Sequence, residues 1–121
     1  MNLPTITDAD RAAGFRDWEV TFRDGRKETV RIFKPEKMRL VEILKLPTMT
    51  AKLTELVIYS SRRDNEFLLN LTGAAACEIY FAALGLNSQM AFDCALAVSP
   101  IVGRQLVCEN QPGGRVNPTL N

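Results

Sequence analysis

Trp18-Glu-Val-Thr-Phe-Arg-Asp-Gly-Arg-Lys-Glu-Thr-Val-Arg-Ile-Phe33 is the stretch that decides the fold. Trp18, Val20 and Phe22 alternate with Glu19, Thr21 and Arg23, the period of a strand with one buried face. Asp24-Gly25 is turn chemistry, because glycine accepts a positive φ. Thr29 to Phe33 then resume as a second strand. A two-residue Asp-Gly turn would pair Val20 with Thr29 and set the two apolar groups on opposite faces. A three-residue connection, or a tight turn with a bulge, pairs Trp18 with Ile32 and Val20 with Val30. It also sets Thr21 opposite Thr29 and Glu19 opposite Arg31, pairs worth roughly 0.2–1 kcal/mol each. Both faces agree in that register, so it is the one expected. An isolated hairpin is marginal in water, so its apolar face needs helices to lie on.

The helices follow in sequence. Pro35 suits a first helical position. Met38, Val41 and Leu44, joined by Leu40, form an inward stripe at helical spacing, with Lys37, Arg39, Glu42 and Lys45 outside. Pro47 ends that helix. Thr48 or Thr50 caps a second over about residues 50–61, with Leu53, Leu56 and Val57 inward. Arg62-Arg63-Asp64-Asn65 is a polar break, and Asp64 or Asn65 opens a short turn through Leu69. Thr72 caps a stronger helix over residues 73–86, which carries Ala76, Ile79, Tyr80, Ala83 and Leu84. Asn87-Ser88 breaks it. Ser88 caps another to about Val98, and Ser99-Pro100 opens a last turn to about Val107.

On the N-terminal side, residues 1–16 read as a flexible arm with a short helical turn after Thr7. From Glu109 onward Asn, Gly, Pro and Gln dominate, the composition of a disordered tail. The expected architecture is therefore α+β: an N-terminal β-hairpin packed on a bundle of four to five short helices, in a single domain over residues 17–108. A chain of 121 residues is one domain by length and can bury about two thirds of its unfolded surface.

Composition excludes several classes of function. The chain has no histidine, which removes the commonest general base near neutral pH and the triads built on it. Cys77, Cys94 and Cys108 contain no C-x-x-C spacing. Cys77 and Cys94 read as small core side chains on helices, and the odd cysteine count points to a reducing compartment. The acidic residues form no visible acid–base pair. Pro112-Gly113-Gly114-Arg115 lacks the strand, lysine and helix of a phosphate loop. Asn70-Leu71-Thr72 matches a glycosylation site in form, and Thr72 as a helix cap accounts for it. Nothing in Met1 to Asp8 reads as a secretion signal, and the longest strictly apolar run, Ile79 to Leu84, is far short of the ~20 residues that span a bilayer. Residues 15–45 carry nine positive and six negative side chains, an excess too small for nucleic acid, and the net charge is +1. No enzyme, cofactor, metal, nucleic acid or membrane is expected.

One feature is out of the ordinary. Residues 1–66 hold 24 of the 29 charged side chains, and between Phe67 and Cys108 three of 42 residues are charged and 28 are apolar. A half so poor in charge packs as core or presses against another chain. Tyr80 and Phe81 are adjacent, so on a helix they point about 100° apart and one packed face does not cover both. Ile79, Tyr80, Phe81, Leu84 and Phe92 are therefore the candidate contact residues for a protein partner or a second copy of the chain.

The order of elements resembles the small tail assembly chaperones of long-tailed bacteriophages. The residues that carry the resemblance are Trp18 to Phe33 as strand, turn and strand, and the Pro-introduced helix Pro35 to Leu44 with its Leu-x-x-Ile-Leu ending. A later stretch, Asp64-Asn-Glu-Phe-Leu-Leu-Asn-Leu-Thr72, leads into a helix that closes in Leu84-Gly85-Leu86-Asn87. The similarity covers about residues 17–87, and the segment from Met90 to Pro100 departs from it. The resemblance implies a non-enzymatic helper in the bacterial host cytoplasm, which holds the aggregation-prone tape measure protein while the tail tube assembles. A structural virion or oligomeric assembly subunit is the alternative, and a nucleic-acid-binding regulator a more distant one.

Overall fold

A computed structural model describes residues 3–87. Its elements run α1 (Asp8–Ala13), β1 (Phe15–Thr21), β2 (Lys27–Phe33), α2 (Lys37–Leu44), α3 (Met49–Ser61), α4 (Asn65–Asn70) and α5 (Gly73–Asn87). The architecture is α+β, an antiparallel hairpin laid on helices. The expected helices beyond Ser88, the tail from Glu109 and the candidate Phe92 lie outside the described residues.

The hairpin forms where the alternation puts it, but its register differs from the expected one by two residues. Trp18 pairs with Val30, Glu19 with Thr29, Val20 with Glu28 and Asp17 with Arg31. The cause is the turn. Phe22 donates its N–H to Arg26 O at 2.8 Å, so the connection is Arg23-Asp24-Gly25, with Gly25 last at φ 90°. A three-residue hairpin loop needs its left-handed residue at the final position, and only glycine takes that conformation at little cost. Asp24 Oδ1 accepts the Arg26 N–H at 2.9 Å and closes the turn. A slip of two keeps every side chain on its expected face. Val20, Val30 and Ile32 are accordingly buried, and Glu19, Lys27 and Arg31 are exposed.

The N-terminal segment is docked rather than loose. Thr7 and Asp10 form a reciprocal capping box on α1, and Gly14 ends the helix at φ 83°. Arg11 Nε donates to Gly85 O at 2.9 Å, tying α1 to the end of α5. β1 already begins at Phe15.

Three caps fall where the sequence places them. Thr48 Oγ1 accepts from Ala51 N on α3, Asp64 Oδ1 from Phe67 N on α4, and Thr72 Oγ1 from Ala75 N on α5. Pro35 does not open α2. It stands buried two residues before the helix, with the extended Glu36 at the cap position.

The core is organised around α5. From Ala75 to Leu86 each residue except Glu78 is buried. This helix packs on α3, on both strands and on α1, so it has no single outer face. An all-round apolar helix is what such a position requires. Leu53, Leu56 and Val57 of α3 face it as expected. Ser60 and Ser61 are buried there too, and their hydroxyls donate back to Leu56 O and Val57 O at 2.7 and 2.6 Å. The end of β1 joins the α4–α5 region through the Phe22–Leu71 bridge, with Phe22 and Phe67 edge-to-face at 5.8 Å.

Candidate functional site

The four described candidates for partner contact are core residues. Ile79 and Leu84 are buried, and Tyr80 and Phe81 are only 5% and 2% exposed. The two rings meet edge-to-face at 5.5 Å. Their adjacency requires cover on two sides, and the chain supplies that cover itself, because sheet and helices flank α5 together. From Ala75 to Leu86 the charge-poor segment is therefore part of the core.

The exposed apolar surface is on α2 instead. Met38 is 68% exposed, Val41 41% and Leu44 39%, while Leu40 and Ile43 point into the core. This overturns the expected stripe at Met38, Val41 and Leu44, while Leu40 is inward as expected. Five of the eight residues of α2 are apolar and spread over more than half its circumference, so helical spacing permits either face to turn inward. The choice is made by α3. α2 packs on α3, and the half-exposed Arg39 reaches Glu42 and Glu55 at 3.4 Å each, pairs that add little beside the burial of Leu40 and Ile43. Leu40 and Ile43 then meet the core, and Met38, Val41 and Leu44 are left outside. Leu69 of α4 is a further exposed apolar residue at 67%.

Charge marks the same region. Lys34, Lys37 and Lys45 are exposed, and none makes an ion pair among the described residues. Lys34 and Lys37 line an open cleft with Arg62, Tyr59 and Glu36. Arg62 closes α3 in the left-handed conformation at φ 56°, and its guanidinium lies 3.7 Å over the Phe33 ring. Asn87 Nδ2 donates to Pro35 O at 3.3 Å and braces the floor of the cleft.

The described residues bring together little that reacts. Cys77 is buried, and burial, with the adjacent Glu78 carboxylate, pushes its thiol up to about 11. Burial also raises the Tyr80 phenol. Neither is poised as a nucleophile or base near neutral pH. No three His, Cys, Asp or Glu side chains among the described residues converge as metal ligands, and no helix among them is long and apolar enough to cross a membrane.

Comparison with protein-family models, curated proteins and solved structures finds no match.

Sequence reasoning placed Lys37 and Lys45 outside, as they are, but missed that Met38, Val41 and Leu44 share that outer side. A signal for it was present: Ile43 completes a Leu40/Ile43 pair that competes with Met38/Val41/Leu44 for the core.

Proposed function

We propose that this chain is a non-enzymatic binding protein of the tail assembly chaperone type, which covers apolar segments of an aggregation-prone client such as a tape measure protein. The observation that carries this reading is the exposed Met38, Val41 and Leu44 on a domain whose core is already filled by α5. An apolar helix face left over after the core is closed is a surface for another chain. The hairpin, α2 and the α4–α5 stretch follow one another in the order that the resemblance rests on, although Pro35 stands ahead of α2 rather than at its first position.

The test is coexpression with the tape measure protein of the same genome. The expected result is copurification and a larger soluble fraction of the client; coexpression without any gain in soluble client sinks the reading. Mass spectrometry of finished tails adds a second arm. A chaperone is absent from them, whereas stoichiometric presence would make the chain a structural subunit.

A further inference from the structure

We propose that the outer face of α2 seats an acidic amphipathic helix of the partner, its apolar side on Met38, Val41 and Leu44 and its carboxylates on Lys34, Lys37 and Lys45. This rests on the reading of the chain as a client-binding protein and names the chemistry of the client segment.

At about 100° per residue, Leu44, Lys37, Val41, Lys45 and Met38 succeed one another around an arc of roughly 120°. Apolar and cationic side chains therefore interleave on one surface, which is bordered by the buried Leu40 on one side and by Glu42, paired with Arg39, on the other, with the buried Ile43 on the far side of the helix. The lysines of this face also make no ion pair among the described residues. Arg16, Lys27, Arg31, Arg39 and Arg63 are each paired with a carboxylate. Lys34, Lys37, Lys45 and Lys52 are not, nor are Arg23, Arg26 and Arg62, but Arg23 donates to Leu71 O and Arg26 and Arg62 lie over the Phe22 and Phe33 rings, so those three guanidiniums already have contacts within the chain. At the N-terminal end of α2 the cleft of Lys34, Lys37 and Arg62 holds three cations against the single carboxylate of Glu36. A helix whose acidic residues flank an apolar stripe matches this layout in both respects.

A second copy of the chain does not match it. Pairing α2 with itself brings lysine against lysine in either direction, an arrangement that charge opposes. An anionic membrane would satisfy lysines next to apolar residues. A net charge of +1, however, supplies no general attraction to such a surface.

The test uses the full chain and two synthetic amphipathic helical peptides. They share one Leu/Ile face and differ only in the flanking residues, Glu in one and Lys in the other. Fluorescence anisotropy should show the Glu peptide bound at least about tenfold more tightly than the Lys peptide, with a preference that shrinks as salt rises. Lys37→Glu with Lys45→Glu should reverse the preference, and Val41→Asp should abolish binding of both peptides. Circular dichroism and melting of each variant check that it folds, and Met38→Ser is a milder second variant. Equal affinity for the two peptides, binding of neither, an unchanged preference in the charge-reversed variant, or tighter association with phosphatidylserine vesicles than with the Glu peptide overturns the proposal. Coexpression separates the two readings. If the charge-reversed variant solubilises the client as the native chain does, the α2 seat falls and the chaperone reading stands. If the native chain fails to solubilise the client yet selects the Glu peptide, the chaperone reading falls and the seat stands.

Discussion

Trp18 Nε1 donates a 3.0 Å hydrogen bond to Glu78 Oε1, joining β1 to α5 across sixty residues of sequence. Glu78 is the one charged residue of α5, and Trp18 the one tryptophan of the chain. A tryptophan turned toward a core needs an acceptor for its N–H, and an apolar helix offers none unless one position is given up to a polar residue. The bond therefore orients the hairpin over the central helix. Replacing Glu78 with Ala should destabilise the fold by about 1–3 kcal/mol, and Glu78→Gln, which keeps an acceptor, by less. Urea unfolding followed by the Trp18 emission measures both effects.

Gly25 ends the hairpin loop at φ 90°, and a Cβ there would meet nothing within 4 Å. The cost of a side chain at this position is therefore one of backbone conformation alone. Gly25→Ala should lose about 1–2 kcal/mol, and Gly25→Asn less, because Asn tolerates the left-handed region. Chemical denaturation of the two variants gives the comparison.

The orientation of α2 can be read from stability. Ile43→Ala opens a cavity in the core and should cost about 2–5 kcal/mol. Val41→Ser and Met38→Ser lie on the outer face and should stay within about 0.5 kcal/mol of the native chain. Equal losses at positions 41 and 43 would refute the orientation described.

Asp10 links stability to acid. Its carboxylate accepts from the Thr7 backbone N–H at 3.0 Å and from Arg16 at 2.7 Å, and these bonds, the Thr7 one first, hold it below the ordinary value of 3.8. A group depressed in the folded state contributes fully above its unfolded value and is lost as pH falls through the folded one. Docking of α1 should therefore be unaffected at pH 5–7 and loosen below about 3.8, with Asp10→Asn removing that dependence. Amide exchange of α1 against pH is the measurement.

Cys77 should resist alkylation while the chain is folded. Burial and a thiol pushed up to about 11 leave almost no thiolate at pH 8. Peptide mapping after iodoacetamide treatment should find position 77 unmodified in the native state and modified in urea.

The hairpin apart from its register, the Thr72 cap, the caps at Thr48 and Asp64 as one of two choices each, and the inward set Leu53, Leu56 and Val57 were legible in the sequence. Each depends on a few neighbouring residues, through alternation, turn chemistry or a side chain bonding its own backbone. The docking of α1 was not legible, because its tie from Arg11 to Gly85 spans 74 positions. The candidate site was misread for the same reason. Tyr80 and Phe81 announce two apolar faces, but nothing local says whether the second is covered by this chain or by another.

By itself, then, the sequence determined which segments become strand or helix to within a few residues at their ends, and that Tyr80 and Phe81 would need cover on two sides of one helix. Those are short-range properties of backbone torsion and hydrogen-bonding capacity. Tertiary structure decided which apolar residues are left over. Once α5 has taken the centre and α3 lies beside α2, one flank of α2 meets the core through Leu40 and Ile43, and Met38, Val41 and Leu44 stay exposed. Hydrophobic burial has no direction of its own, so the choice among equally apolar faces falls to the neighbours that arrive from elsewhere in the chain.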